Sequence, residues 1–506
     1  MSSAAFRTRA YIEDVRTLGD VAVPVADRVQ ETGTRERRLD DVLSAGAYAV
    51  LGLVLLATRL VGLDRSFWSD EVVTVTDYVR AGPRGILAGP YIPNNHELYS
   101  LLGCATSSMV GESEVALRLL AVVPFLVGVA LCTAWLHVRV SRLSGVLFLF
   151  FATASPLLYD LSRQARGYGL AFLAMSVLIV SALEADRTAS RRWLAAFFVS
   201  GLVGTLTLPI FGLAFFATAL ALLAIPSLPR RVVVGGTAAS ALATAAWYAP
   251  HADDILHSSQ QEYGAQIPWY GLPASPIDQV LVPGVLWFGD TFLASYPARA
   301  IVIAAAAVML LSSPLLRSRA AIFVLCSGTV ATLFFIWAAR LYLAQRFLSY
   351  LLVPLFILLA TGTAHVLRNS RRRPGLRTLV AMLTLAVAAA AFGGAAPHLL
   401  RHPTEAWKDA AVAIEESDWS GRPVLAYTSR PQGLRYYLRA PVIQLQPSQV
   451  ASSVCRPRHA VVYVDNSFET VPVEVPCLRR DGVRHIRLQQ HSYGGETNVW
   501  LLPARS

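Results

Sequence analysis

Long apolar runs, separated by short connections, constrain this chain more than any other feature. The first, Ala45 to Leu63, suffices to cross a ~30 Å hydrocarbon core at ~20 residues per helix. Ten more lie near 116–137, 144–160, 168–184, 193–207, 209–226, 232–249, 299–316, 320–338, 347–367 and 377–396. The first run follows about 40 polar residues and lacks an A-x-A-like cleavage site after it, so it reads as a retained span. Only 15% of the 506 residues are charged, against roughly 25% in ordinary soluble domains. That excludes a simple soluble enzyme and a disordered or fibrous chain.

The net charge of +11 would point to nucleic acid if taken only as a sum. Sorted by connection, it reports membrane orientation instead. Arg35, Arg37 and Arg38 precede the first span. Arg139/Arg142, Arg187/Arg191/Arg192, Arg230/Arg231, Arg317/Arg319 and the stretch Arg368 to Arg377 fall on that same side if eleven spans are counted. The opposite connections are poor in arginine, and residues 250–298 contain no Lys or Arg. By the positive-inside rule the N-terminus is cytoplasmic and the long loops 64–115 and 250–298 face outward, at the cytoplasmic (inner) membrane. The odd span count puts the C-terminal tail outside as well. Loop 250–298 is too long for an idle connection and is expected to pack over the membrane domain as a loop or lid. No nucleic-acid partner is expected.

Three regions follow: a polar cytoplasmic tail over 1–41, a membrane domain over 42–396 and an extracytoplasmic domain over 397–506. In the last, Thr404 is placed to cap a helix carrying Ala406, Ala410, Val412 and Ile414 at helical spacing. Runs at Pro423–Tyr427, His459–Val464, Val483–Leu488 and Val499–Leu502 read as strands, which together suggest a small α/β fold. The five cysteines show no zinc-like spacing. In an oxidising compartment Cys455 and Cys477 can form a disulfide, the alternative being two buried free thiols.

Several polar residues break the apolar pattern. Asp70 and Glu71 directly follow Phe67-Trp68-Ser69 in the first outer loop. A carboxylate beside apolar surface can serve as a general base or bind a cation, although two solvated loop acids would explain the pair in isolation. Asn95, His96 and Glu97 open an amphipathic stretch too short and polar to span, expected to lie along the outer surface. Arg163, Arg166 and Tyr168 occupy one short outer turn, and Arg340, Tyr342 and Arg346 another. An arginine at mid-bilayer costs ~2.5–3.5 kcal/mol on insertion scales, and snorkelling relieves it. Yet the outer face otherwise avoids arginine, and guanidinium groups grip phosphate in a bidentate manner. Carboxylates, guanidinium groups and aromatics at the membrane surface suit a lipid-linked phosphate substrate and a hydroxyl that must lose its proton.

These residues resemble the GT-C class of membrane glycosyltransferases, specifically bacterial glycosyltransferase family 39, which includes protein O-mannosyltransferases and the aminoarabinose transferase acting on lipid A. Phe67-Trp68-Ser69-Asp70-Glu71 is similar to the family's aromatic-x-Asp-Glu signature, and Asn94-Asn95-His96-Glu97-Leu98-Tyr99 to its His-Pro-Pro-Leu-Tyr segment. Gly111 to Arg118 resembles the start of its second span. Ser155-Pro156 through Gln164-Ala165-Arg166-Gly167-Tyr168 resembles its Ser-Pro…Gln-Glu-Ala-Arg-x-Tyr element, and Gln345-Arg346-Phe347-Leu348 its Arg-Tyr-Leu turn. Ala406-Trp407-Lys408-Asp409-Ala410-Ala411 is similar to the Asp-Trp-Arg-x-Ala-Ala start of the outer domain in many members. Glu97 stands where proline is usual, and Ala165 where glutamate is frequent.

The resemblance implies a GT-C-like helical polytopic membrane protein of about eleven transmembrane helices. It also implies an inverting hexosyl- or pentosyltransferase that takes its sugar from a polyprenyl phosphate. The acceptor would be a glycan, lipid or protein hydroxyl in the cell envelope. Asp70 is then the base, with Glu71 orienting Asp70 or the acceptor. Arg163, Arg166, Arg346 and Tyr168 bind the donor phosphate; Asn95, His96, Glu97, Arg340 and Tyr342 bind substrate. The resemblance fixes no cofactor; His96 and Glu97 are candidates to bind the sugar or a divalent cation, metal use varying within GT-C enzymes. The competing readings are a transporter or flippase of lipid-linked sugars, which should carry polar groups near the midplane on broken helices, and a non-catalytic scaffold.

Overall fold

Apolar helices dominate the structure, a computed structural model that describes residues 42–89, 91, 95–254, 306–338, 345–370, 375, 378, 380–382, 406–428, 432–455, 460–466, 475–479, 483–489 and 496–502. The chain divides into two units, Met1–Leu53 and Val54–Ser506. Residues 42–53 of the first begin helix α1, Val42–Leu60.

In the second unit, α2 (Ser69–Val73) runs into a π-helical turn at Thr74–Val79, followed by α3 (Gly82–Ala88) and α4 (Glu97–Val110). Next come α5 (Glu114–Arg139), α6 (Arg142–Ala154), α7 (Pro156–Leu161), α8 (Tyr168–Thr188), α9 (Arg191–Thr207), α10 (Phe211–Leu222) and α11 (Arg230–Tyr248). After these, α12 is Arg319–Ala338, and a 3-10 turn at Gln345–Leu351 leads into α13, Leu352–Asn369. Among the described residues six helices are long and apolar enough to cross a membrane: Val42–Leu60, Glu114–Arg139, Tyr168–Thr188, Arg230–Asp254, Arg319–Ile336 and Arg346–Asn369. Two shorter apolar helices are α6 and α10. The helical membrane architecture expected from the apolar runs is therefore present, with one local difference. The run 144–160 is two helices, because Pro156 opens a new helix and the Ser155 hydroxyl caps it by accepting the Leu158 N–H at 3.3 Å. The expected spans at 299–316 and 377–396, and loop 250–298, lie largely outside the described residues.

Helix α8 is the hub, packing against α5, α9, α12 and the Gln345–Leu351 turn. Val123, Val127, Leu242 and Phe334 stay exposed, as a lipid-facing surface requires.

The C-terminal region contains α14 (Trp407–Glu415), β1 (Val424–Tyr427), α15 (Gln432–Tyr437), β2 (Val442–Gln444), α16 (Pro447–Cys455), β3 (Val461–Asn466), β4 (Arg484–Gln489) and β5 (Glu496–Leu502). The sheet order is β2-β1-β3-β5-β4. Strands β2, β1 and β3 are parallel; β5 runs antiparallel to both β3 and β4. Side chains alternate across β1: Val424 and Ala426 join Trp407, Ala410 and Ile414 of α14 on one face, while Leu425 and Tyr427 join Val450 and Val454 of α16 on the other. All four β1 residues are buried, as a central parallel strand covered on both faces should be. Strand β2 escapes a pattern search because it has three residues, of which Val442 alone is buried. Helix α14 has Ala406 at its N-cap with no side-chain hydrogen bond; Thr404, the expected cap, lies outside the described residues. Cys455 and Cys477 form a disulfide, with Cα atoms 5.4 Å apart.

Candidate active site

The site is built on the segment between α1 and α2. Residues 63–68 have no helix or strand of their own, and Arg118, in the first turns of α5, supplies what regular structure would. Its Nη1 donates to the carbonyls of Leu63 at 2.9 Å and Arg65 at 2.7 Å, and its Nη2 to that of Ser66 at 2.9 Å. The same guanidinium grips Glu71 in a fork, Nε to Oε1 at 2.9 Å and Nη2 to Oε2 at 2.7 Å. Glu71 also accepts the Trp68 N–H at 2.8 Å, the reciprocal half of a capping box at the start of α2, and the Ala165 N–H at 2.5 Å. A carboxylate with four such hydrogen bonds, from three residues, is a structural clamp tying α2 to α5 and to the turn before α8.

Asp70 faces other partners. Successive helical residues point about 100° apart, so the two adjacent acids do not share a site. Asp70 Oδ2 lies 2.6 Å from Arg166 Nη1 and 2.9 Å from Arg346 Nη2. Asp70 is 1% exposed and Arg166 fully buried, while the Arg346 side chain keeps 25% exposure. Arg346 lies over the Trp68 and Phe347 rings, at 5.1 and 5.6 Å. Together with Arg118 and Glu71, two carboxylates face three guanidinium groups, leaving a net positive charge.

His96 completes the cluster from the N-terminus of α4. Its Nε2 lies 3.0 Å from Arg166 Nη2, and its Nδ1 accepts the Gly167 N–H at 3.0 Å. Burial, then the charges of Arg166 and Arg346, push the imidazole well below its ordinary pKa. Gly167 permits this approach: a Cβ there would meet Thr207 Cγ2 at 2.4 Å and His96 Nδ1 at 2.7 Å. The Tyr168 ring packs edge-on against His96 at 4.8 Å, and its buried hydroxyl has no hydrogen-bond partner among the described residues. Asn95 Oδ1 accepts from Ser100 Oγ at 3.0 Å, steadying the first turn of α4.

Sequence neighbours again diverge at Glu97. Its carboxyl accepts a hydrogen bond from Trp247 Nε1 and lies 3.3 Å from His251 Nε2, away from the Arg166 side of His96. Burial raises its pKa to about 7, opposed by the Trp247 hydrogen bond. His96 and Glu97 thus do not converge, and no group of three His, Cys, Asp or Glu side chains in metal-binding geometry occurs among the described residues.

Arg163 stacks on Tyr159, 4.7 Å from the ring centroid, and donates to the Tyr159 hydroxyl and the Val61 carbonyl. It forms no ion pair with Asp70 among the described residues, where Asp70 pairs with Arg166 and Arg346. Arg340 and Tyr342 lie outside the described residues. Three contributors escaped sequence reasoning. Arg118 had a signal, a lone arginine inside the first turns of an apolar span on the arginine-poor side. Trp247 and His251 had none, being ordinary residues at the end of a long helix.

No family model matches the sequence, and no curated protein matches it. Among solved structures, the fold is similar to ArnT from Cupriavidus metallidurans bound to undecaprenyl phosphate, with a TM-score of 0.52 and 12% identity over 90% of this chain and 98% of that one. The apo state of the same protein matches with a TM-score of 0.51, again at 12% identity and the same coverage. At such identity the likeness shows the fold, a GT-C membrane architecture with a small C-terminal sheet region.

Proposed function

We propose that this chain is an inverting glycosyltransferase that moves a sugar from a polyprenyl-phosphate donor to a hydroxyl acceptor at the outer face of the cytoplasmic membrane. The observation that carries this reading is the buried Asp70 carboxylate held by Arg166 and Arg346, beside His96 and a Tyr168 hydroxyl with no hydrogen-bond partner among the described residues. That ArnT, whose fold this chain shares, binds undecaprenyl phosphate supports a lipid phosphate as the ligand of the two arginines. The arginine-rich connections support a cytoplasmic N-terminus and an extracytoplasmic site.

The ion pairs then have a task in the reaction. A donor phosphate arriving at the site competes for Arg166 and Arg346, whose forked donors match its oxygens. As they turn to the phosphate, the Asp70 carboxylate is released to take the acceptor hydroxyl's proton. The acceptor oxygen forms a bond to the anomeric carbon from the side opposite the phosphate. The carbon–oxygen bond to the phosphate breaks, its electron pair leaving with the polyprenyl phosphate. The two guanidinium groups and the Tyr168 hydroxyl stabilise the charge gained there. His96, anchored by the Gly167 N–H, packs beside Arg166, and Glu71 acts through the Trp68 and Ala165 backbones as a positioning residue. Arg163 would have to leave Tyr159 and the Val61 carbonyl to reach a phosphate, so Arg166 and Arg346 carry the donor assignment. Asn95 and Glu97, with Arg340 and Tyr342, are assigned to the sugar and acceptor.

The test is incubation of the purified protein with a panel of polyprenyl-phosphate sugars. Release of polyprenyl phosphate from one sugar class, abolished in Asp70→Asn at equal expression, is the expected result. Movement of intact donor across vesicles, without release of polyprenyl phosphate, would replace the enzyme with a transporter.

A further inference from the structure

The segment that carries Asp70 is held from two sides, and only one of them is the membrane domain. Arg118 takes the carbonyls of Leu63, Arg65 and Ser66. The C-terminal α/β region takes others. The Tyr437 hydroxyl, at the end of α15, accepts the Phe67 N–H at 2.7 Å and donates to Glu114 Oε1 at 3.3 Å. In the first turn of α14 the Lys408 N–H donates to Ser66 Oγ at 3.2 Å. The Lys408 ammonium donates to the Asp64 carbonyl and to Glu114 Oε1, each at 2.9 Å. Beside them the Tyr436 ring meets Phe67 edge-on at 5.6 Å, and its hydroxyl donates to Glu112 at 2.7 Å. Phe67 is fully buried in a cluster with Val72, Val75, Tyr99 and Leu117, against which both tyrosines pack.

These contacts end one residue before the N-cap of α2 and three before Asp70. No helix or strand covers 63–68; the local holds are the Trp68 N–H on Glu71 and the Arg65 N–H on the Gly62 carbonyl, and the Phe67 N–H is left to Tyr437. Without the Tyr437 hydroxyl the Phe67 N–H loses its partner. A misplacement of about 1 Å at a reacting group costs on the order of 10²-fold in rate. Lys408 is, moreover, the one lysine in the whole chain.

We infer that Tyr437 and Lys408 are positioning residues for Asp70, acting through residues 64–68, so that transfer requires the C-terminal α/β region to be seated on this segment. The inference rests on the reading of Asp70 as the base. It makes the C-terminal region a working part of the transferase, beyond any role in holding an acceptor.

The experiment uses full-length protein in nanodiscs with two readouts: donor turnover, and amide hydrogen exchange over residues 64–71. Tyr437→Phe keeps the ring and removes the hydroxyl. Expected are a kcat about 10-fold lower, a donor KM within about 2-fold of wild type, and exchange over 64–71 about 10-fold faster. Donor KM holds because Arg166 and Arg346 come from other elements. Lys408→Met should behave likewise, and Lys408→Arg, which restores charge and donors, should recover most of the turnover. A Tyr437→Phe kcat within about 2-fold of wild type overturns the inference, even with a lowered melting temperature, and so does unchanged exchange over 64–71. If wild type turns over no donor at all, the glycosyltransferase reading fails instead. The exchange data still decide by themselves whether the C-terminal region holds this segment.

Discussion

Two carboxylates in this protein are each met by two arginines, one in α2 and one near the end of α8. Asp70 takes Arg166 and Arg346; Glu184 takes Arg139 at 2.9 Å and Arg187 at 2.7 Å, with Trp135 Nε1 adding a hydrogen bond at 2.9 Å. The inventories match, but the surroundings do not. Arg139 and Arg187 keep 38% and 51% of their side chains exposed, and Arg187 sits three residues from its partner on the same helix. Such pairs contribute about 0–1 kcal/mol, because water competes for both cations. Arg166 is fully buried and reaches Asp70 from a distant part of the chain. Taking these ions out of water costs several kcal/mol per ion, and apolar residues of similar volume would often serve stability as well. Under the proposed reaction the Asp70 cluster has a task other than stability, whereas the Glu184 cluster needs no explanation beyond a charged helix end.

The comparison can be broken in order of effect. Replacing Asp70 with Asn should lower donor turnover on the order of 10³-fold, the range expected for loss of a general base, while Glu184→Gln should leave turnover within about 2-fold. Equal losses in the two variants would erase the distinction. Next, Arg166→Lys should cost on the order of 10²-fold, because one ammonium cannot reproduce the planar, forked donors that the guanidinium offers Asp70 and a phosphate. Arg139→Lys at the Glu184 cluster should be nearly silent in the same assay.

A third carboxylate sharpens the contrast through pH. Glu97 is buried like Asp70 but has no arginine, and its pKa stands at about 7 against an ordinary 4.5. Between those values the folded state binds more protons than the unfolded state, so this group lowers stability as pH rises from about 4.5 to about 7 and adds no further loss above it. The melting temperature of wild type minus that of Glu97→Gln should therefore fall across that window. A flat difference would mean that Glu97 is already ionised in the folded protein. The smallest effect belongs to Glu184→Gln measured by melting, a loss of under about 1 kcal/mol that added salt should shrink.

Much of this was legible before any coordinates. Apolar run length and arginine placement announce a helical membrane protein, because transfer to lipid is summed residue by residue along a segment. The turn at Ser155-Pro156, which splits one expected span in two, was also written locally. Strand β2 was not, since three residues with one buried side chain carry no period to detect.

For the site, the sequence by itself determined which side chains are anomalous. Asp70, Glu71, His96, Arg166 and Arg346 all stood out because each violates the apolar or charge pattern around it. Only the tertiary structure decided their partners. Adjacency misled twice: Asp70 and Glu71 read as a pair, and His96 and Glu97 as joint ligands, yet helical geometry sends each member to a different neighbour. Arg118, Tyr437 and Lys408 drew their importance from segments far away in the chain. The physical reason is that desolvation and insertion costs belong to individual residues and can be read in one dimension. An ion pair or a backbone hydrogen bond exists only at about 3 Å, a distance that folding alone creates.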